Sequence, residues 1–78
     1  MRDVNRIDPI LEALGKAWKL YPDMRLGQLI SVIAGQSPNY IFGIEDEEML
    51  KCIEKYIAEM IEGRKKANLP VPDINNSW

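Results

Sequence analysis

The sequence contains no histidine and only one cysteine, and these two shortages exclude most enzyme chemistry. Without histidine the chain lacks the commonest general base, the usual partner of a nucleophilic Ser or Cys, and a common zinc ligand. Cys52 has no second cysteine for an internal disulfide, and its place beside an apolar helical stripe is typical of a small hydrophobe rather than a nucleophile. We therefore predict that the protein is not an enzyme and uses no cofactor.

Long apolar runs and a strong excess of charge are also missing. Because no segment has the pattern of a signal peptide or a bilayer-spanning helix, we expect a cytoplasmic protein that does not bind membranes. The formal net charge is -2 and the pI is near 5.0, which gives no electrostatic reason to bind nucleic acid. The five glycines are scattered singly, so the sequence has no glycine-rich phosphate loop.

Three stretches of the sequence have apolar residues at the spacing of a core-facing α-helix. The first helix begins at Asp8-Pro9 or, alternatively, one turn earlier at Asn5. It ends near Tyr21, because the following proline disfavours the helical conformation. Its predicted apolar stripe consists of Ile7, Ile10, Leu11, Leu14, Ala17, Trp18 and Tyr21.

A corner at Tyr21-Pro22-Asp23 separates the first helix from a short second one. Asp23 is predicted to cap the start of the second helix, which has its apolar stripe between Leu26 and Ala34. Gly35 stands where a helix ends in a backbone conformation with positive φ. Gly27 lies at the edge of the stripe, and we predict that a neighbouring helix approaches closely there.

The third helix is the longest, and it is predicted from the acidic run Glu45–Glu48 to Lys66. The carboxylates suit the positive end of the helix dipole, while Arg64, Lys65 and Lys66 suit the negative end. The acidic run lacks the alternating spacing of calcium-binding loops, so we predict no metal site. We therefore expect residues 1–66 to form an all-α, compact three-helix domain.

Two segments outside the three helices leave alternatives open. The run from Tyr40 to Ile44 is interpreted as an ordered loop, in which Tyr40 and Phe42 either close the end of the core or form an exposed patch. The tail, residues 67–78, contains Pro70 and Pro72 and should be extended. It ends in Trp78, and it either folds back on the core, docks on a second copy or binds another protein.

Part of the sequence resembles a group of small uncharacterised proteins found in bacteria and their phages. The similarity covers about the first two thirds of the chain. It is carried by Arg6-Ile7-Asp8-Pro9-Ile10-Leu11, by Trp18 and by Pro22-Asp23 with Arg25-Leu26-Gly27-Gln28-Leu29-Ile30. The resemblance transfers no activity to any residue, but a phage origin would favour a protein that binds a host or defence protein.

Together these observations favour a small protein-binding module, with a homodimer as a further form of association. The candidate contact residues are Asp23, Arg25, Gln28, Val32, Tyr40, Phe42 and Trp78. One alternative function is a nucleic-acid-binding regulator that uses the second helix, although one arginine does not make a basic stripe. Another is a small-ligand-binding domain with a pocket around Trp18 and Tyr40.

Overall fold

The computed structural model of the chain describes residues 3–35 and 38–74, and these residues form an all-α fold. A 3₁₀ helix at Val4–Arg6 leads into the first of four α-helices. They are α1 (Ile7–Leu20), α2 (Leu26–Ala34), α3 (Pro38–Gly43) and α4 (Asp46–Lys66). The predicted fold class is confirmed, and so is the long last helix. Within the described ranges, no helix is both long enough and apolar enough to cross a bilayer.

The segment around Tyr40 is not the loop that the sequence suggested, because it belongs to α3. Proline is well tolerated at the first position of a helix, where its missing N–H would have no partner in any case. Pro38 occupies that position in α3. The short helix therefore joins the three predicted helices as a fourth element, and it contacts α2.

The start of α1 also differs from the prediction, since neither Asp8 nor Asn5 caps it. Asp3 instead caps the preceding 3₁₀ helix, since its Oδ1 accepts a hydrogen bond of 2.9 Å from the backbone N–H of Asn5. The N-cap residue of α1 is Arg6, and it makes no side-chain capping bond. Asp8 and Pro9 lie inside the first turn of α1. They are tolerated there because the N–H groups of a first turn have no intrahelical acceptor.

Helices α1 and α4 run parallel to each other and form the main interface of the fold. At their N-terminal ends, Arg6 Nε lies 2.6 Å from Asp46 Oδ2. At their C-terminal ends, Arg64 of α4 donates a hydrogen bond to the carbonyl oxygen of Leu20 in α1. These two contacts fix the register of the two helices.

The core lies where α1, α2 and α4 meet. Its central cluster consists of Ala17 from α1, Leu29 and Ile33 from α2, and Ile53 and Tyr56 from α4. Every buried residue in the described part of the chain is apolar or is Tyr56. The complete set of buried residues is Ala17, Leu20, Leu29, Ile33, Ala34, Ile53, Tyr56 and Ile74.

Only part of the stripe predicted for α1 is buried. Leu20 was not assigned to that stripe, yet it is completely buried. Ile7 and Leu11 were assigned to it but remain exposed. The apolar surface of α1 is therefore wider than the area that α2 and α4 cover.

The corner between α1 and α2 is held by one side chain of α1. Trp18 Nε1 donates a hydrogen bond of 2.7 Å to the carbonyl oxygen of Met24. A backbone hydrogen bond of 3.0 Å from Met24 N–H to the Tyr21 carbonyl closes the turn. The helix end predicted near Tyr21 is confirmed, and α2 ends at Gly35 with a positive φ of 96°.

The C-terminal end of α4 turns back through a residue with a left-handed backbone. Asn68 has φ of 58°, and the N–H of Leu69 donates to the Arg64 carbonyl at 2.8 Å. This is the hydrogen-bond pattern of a Schellman motif, in which asparagine is the commonest substitute for glycine. Gly63, which the sequence placed near the helix end, lies within α4.

The described part of the tail folds back on its own chain. Arg64 Nη1 donates a hydrogen bond of 2.9 Å to the Pro70 carbonyl, and its guanidinium carbon lies 4.5 Å from the centre of the Tyr21 ring. Further along, buried Ile74 lines a groove whose other lining residues come from α1 and α4, among them Ala13 and Ile57. Trp78 lies outside the described residues.

We expect the Arg64→Lys variant to be less stable than the wild type by about 1–3 kcal/mol, because lysine cannot reach two carbonyl groups and a ring at once. Urea denaturation would measure the loss. Lys65→Ala is the matched control, since Lys65 is exposed in the same turn. Equal stability of the two variants would contradict a bridging role for Arg64.

A second pair of variants tests the position of the core. Leu29→Ala should lower the free energy of unfolding by about 2–5 kcal/mol, because it leaves a cavity beside Ile53 and Tyr56. Leu26→Ala on the same helix should cost clearly less, since Leu26 is exposed. Thermal and urea unfolding of both variants would give the comparison.

Candidate functional site

The corner carries an apolar surface groove, which we call the corner groove. It has a volume of about 480 Å³ and lies between the turn, α2 and α4. Its lining residues are Tyr21, Asp23, Met24, Val32, Tyr56 and Met60. Two flexible methionines and an exposed valine make a surface that can adapt to different apolar groups.

A second depression, the α2 hollow, lies on the outer face of α2 and shares Met24 and Val32 with the corner groove. Its volume is about 720 Å³, and Gly27, Gln28 and Ser31 complete its lining. A Cβ atom at Gly27 would meet nothing within 4 Å. The predicted close approach of a neighbouring helix at Gly27 is therefore wrong for this chain, and the glycine instead leaves the hollow open.

The three polar residues predicted at the corner have different positions. Asp23 does not cap α2, because α2 begins at Leu26 and Arg25 is its N-cap residue. Asp23 is instead exposed at the edge of the corner groove, and no hydrogen bond or ion pair of its side chain is formed within the described residues. Gln28 accepts a hydrogen bond of 3.0 Å from the Arg25 N–H, so it stabilises the helix start and also lines the α2 hollow.

The apolar site residues are only partly brought together. Val32 is 54% exposed, as predicted, and borders both depressions. Phe42 lies on α3 and is 94% exposed, so it does not close the core. The side chain of Tyr40, like Trp78, falls outside the described part of the structure. Arg25 is exposed but does not line the corner groove or the α2 hollow.

Four lining residues of the corner groove were not among the predicted contacts. Tyr21 belongs to the apolar stripe predicted for the first helix, and Tyr56 and Met60 have the same helical spacing in the third stretch, while Met24 follows the predicted corner. The available signal was the position of Met24 directly after a proline corner, next to the predicted ends of two helices. Periodicity cannot show that the edge of a stripe remains open to solvent.

The proton affinity of Tyr56, which lines the corner groove, is changed by its surroundings. Burial raises the pKa of Tyr56 above its ordinary value of 10.0, and the nearby Tyr21 raises this pKa further, while the positive charge of Arg64 lowers it. The phenol is therefore neutral at physiological pH. The lining residues of the corner groove thus include the neutral phenol of Tyr56 and a single carboxylate, that of Asp23.

The described residues contain no cluster of Cys, Asp and Glu that could hold a metal ion. A comparison of the chain with protein-family models, with curated proteins and with solved structures finds no match. The class of protein is therefore defined here by its own geometry, that of a small all-α domain with apolar grooves on its surface.

The raised pKa of Tyr56 predicts a loss of stability at high pH. Because the folded pKa lies above the unfolded one, folding favours the neutral phenol. This contribution is complete below about pH 10 and is lost as the pH rises through the folded pKa. The Tyr56→Phe variant should lack this contribution, so the stability of the variant should fall less than that of the wild type above pH 10.

Urea unfolding at pH 7 and at increasing pH above 10, with an ultraviolet titration of tyrosine, would test this. Arg64 should be left intact, because its charge also acts on Tyr56. If wild type and Tyr56→Phe lose stability in parallel across this range, burial of Tyr56 is not the cause.

Proposed function

We propose that the chain is a non-enzymatic protein-binding module whose corner groove takes an apolar side chain from its partner. The observation that supports this most directly is the groove itself, which is lined by exposed Val32, half-buried Met24 and Met60, and buried Tyr56. Apolar surface that a folded chain leaves in contact with water is favourable to bury in a complex.

A protein partner suits the groove better than a small ligand does. Small-molecule sites usually enclose most of the ligand and direct several polar groups at it. The corner groove lies along the surface and has one carboxylate, Asp23, with the neutral phenol of Tyr56. Such a surface suits a bulky side chain that a larger partner holds in position, with the surrounding contacts supplied by the partner's backbone.

Methionine at two positions of the groove supports the same proposal. The unbranched side chains of Met24 and Met60 can change rotamer to fit different apolar groups, a property that binding surfaces often use. The resemblance of the sequence to small bacterial and phage proteins adds a class of partner to this proposal. We propose a host or defence protein as the target, with modulation of that protein as the consequence of binding.

The test is a Val32→Glu variant compared with Val71→Glu. Both valines are exposed, at 54% and 40%, and both changes add one negative charge. Val32 borders the corner groove, whereas Val71 lies in the tail. We expect the tagged wild type and Val71→Glu to retain the same protein from nuclease-treated cell extract and Val32→Glu to lose it.

Mass spectrometry of the retained fraction gives the measurement, and circular dichroism of each variant shows that it remains folded. Equal capture by both variants would place binding away from the corner groove. If capture disappears after nuclease treatment, the proposal of a protein partner fails.

A further inference from the structure

The described part of the tail turns one of its two sides toward the helices. Pro72 is half-buried and Ile74 is buried, whereas Val71 and Asp73 are exposed. This alternation is typical of an extended segment, in which successive side chains point to opposite sides. The tail is thereby held against the helices as far as Ile74.

The groove that Ile74 lines has room for a further side chain, and we call it the tail groove. The space beside Ile74 has a volume of about 480 Å³. The apolar part of its lining consists of Pro9 and Ala13 from α1 and Leu50 and Ile57 from α4. Apolar surface of this kind is favourable to cover with another apolar group.

The charged residues of the tail groove narrow the chemistry of that group. Lys16 Nζ lies 3.7 Å from Glu12 Oε1, and both residues line the groove together with exposed Glu54. A side chain with an apolar body, a single N–H donor and a ring face that attracts a cation suits such a lining. An indole has all three properties.

An indole lies within reach of the tail groove along the same chain. Residues 75–78 are outside the described part of the structure, but the sequence places Trp78 four residues after Ile74. Four residues span at most about 14 Å. The lining of the groove on α4 extends from Leu50 to Ile57, about 10 Å of helix. Trp78 can therefore reach any part of this lining, and residues 75–77 are all polar.

The covalent connection favours Trp78 of the same chain over any other occupant. A short tether gives a group an effective concentration in the millimolar range, which a second copy or another protein would have to exceed. The burial of Ile74 has already ordered the chain next to the groove. Only a short segment remains to be closed, and closing a short flexible loop costs less entropy than closing a long one.

We propose that the tail groove binds the indole of Trp78 from the same chain, with the ring on the apolar lining and the N–H donated to the Glu54 carboxylate. Trp78 then fastens α1 to α4 and is not a contact for a partner. The tail groove shares no lining residue with the corner groove. This inference therefore goes beyond the proposed function and does not depend on it.

Nuclear Overhauser effects in the full chain, labelled with ¹³C and ¹⁵N, test the proposal directly. The chain has two tryptophans, so the Trp78→Phe variant identifies the signals of Trp78. We expect the ring protons of Trp78 to show Overhauser effects to methyl groups of Ala13, Leu50 or Ile57. A mixture of labelled and unlabelled chains separates contacts within one chain from contacts between two.

Urea unfolding of variants gives an independent measurement. Trp78→Ala should raise the equilibrium constant for unfolding at least about tenfold, because an apolar ring loses its burial. Val71→Ala is the control, since Val71 lies in the same tail and is 40% exposed; its effect should stay below about threefold. The effect of Trp78→Ala should shrink in a Leu50→Ala background and stay unchanged in a Leu26→Ala background, because only residues in contact are coupled.

Several outcomes would overturn the proposal. They are the absence of Overhauser effects from Trp78 to the three methyl-bearing residues, equal effects of Trp78→Ala and Val71→Ala, and unchanged coupling in the Leu50→Ala background. Overhauser effects seen only between labelled and unlabelled chains would make the occupant a second copy. If Trp78→Ala remains folded but loses a protein that Val71→Ala retains from cell extract, Trp78 contacts that protein instead. The Val32→Glu variant remains a separate test of the proposed function.

Discussion

Arg64 joins four parts of the molecule: α4, the end of α1, the corner and the tail. Its guanidinium donates to the Leu20 and Pro70 carbonyls and lies over the Tyr21 ring. These contacts come at a cost, since Arg64 Nε is buried without a hydrogen-bond partner in the described part of the chain. The aromatic face of Tyr21 offsets part of that cost, because a ring attracts a cation that has lost water.

The parallel arrangement of α1 and α4 explains where the other charges stand. Parallel helices place both positive dipole ends together and both negative ends together, which is unfavourable without compensating charges. Asp8 lies in the first turn of α1 and Asp46 in the first turn of α4, while Lys19 and Arg64 lie in their last turns. These four residues therefore compensate the dipoles at both ends of the helix pair.

A domain of this size has little interior, and that limit accounts for its apolar surface. Small domains bury a lower fraction of their surface than large ones do. In α1 the core has room for one apolar face, so Ile7 and Leu11 stay in contact with water. At the corner, α2 is short and reaches only part of α4, which leaves Met60 and Tyr56 at the edge of a groove.

Much of the fold could be predicted from the sequence, because the relevant signals are local. Helical spacing located α1, α2 and α4, and the acidic and basic ends of α4 marked its limits. The cap predicted at Asp23 was wrong, because a favourable capping residue does not fix where the helix begins. In the structure the capping hydrogen bond is accepted by Gln28, from within α2. The cap of the 3₁₀ helix by Asp3 and the turn at Asn68 were not predicted either.

The candidate site was harder to predict, since it depends on contacts between distant parts of the chain. The exposure of Val32 could be predicted because Val32 lies outside the apolar stripe of α2. The place of Met60 in a groove could not be predicted, because its position in the α4 stripe is the same whether a neighbouring helix covers it or not. Whether Met60 is covered depends on how α2 packs against α4, and this packing depends on all the residues of the core.

The order of the helices along the chain has a consequence for folding. The main interface joins the first helix to the last, and the Arg6–Asp46 contact closes a segment of 40 residues. Such contacts form slowly, because the entropy of closing the intervening chain is lost before the interface is gained. During synthesis α1 must wait for α4 to emerge, and until then the residues that α1 contributes to the core, Ala17 and Leu20, lack the helix that covers them.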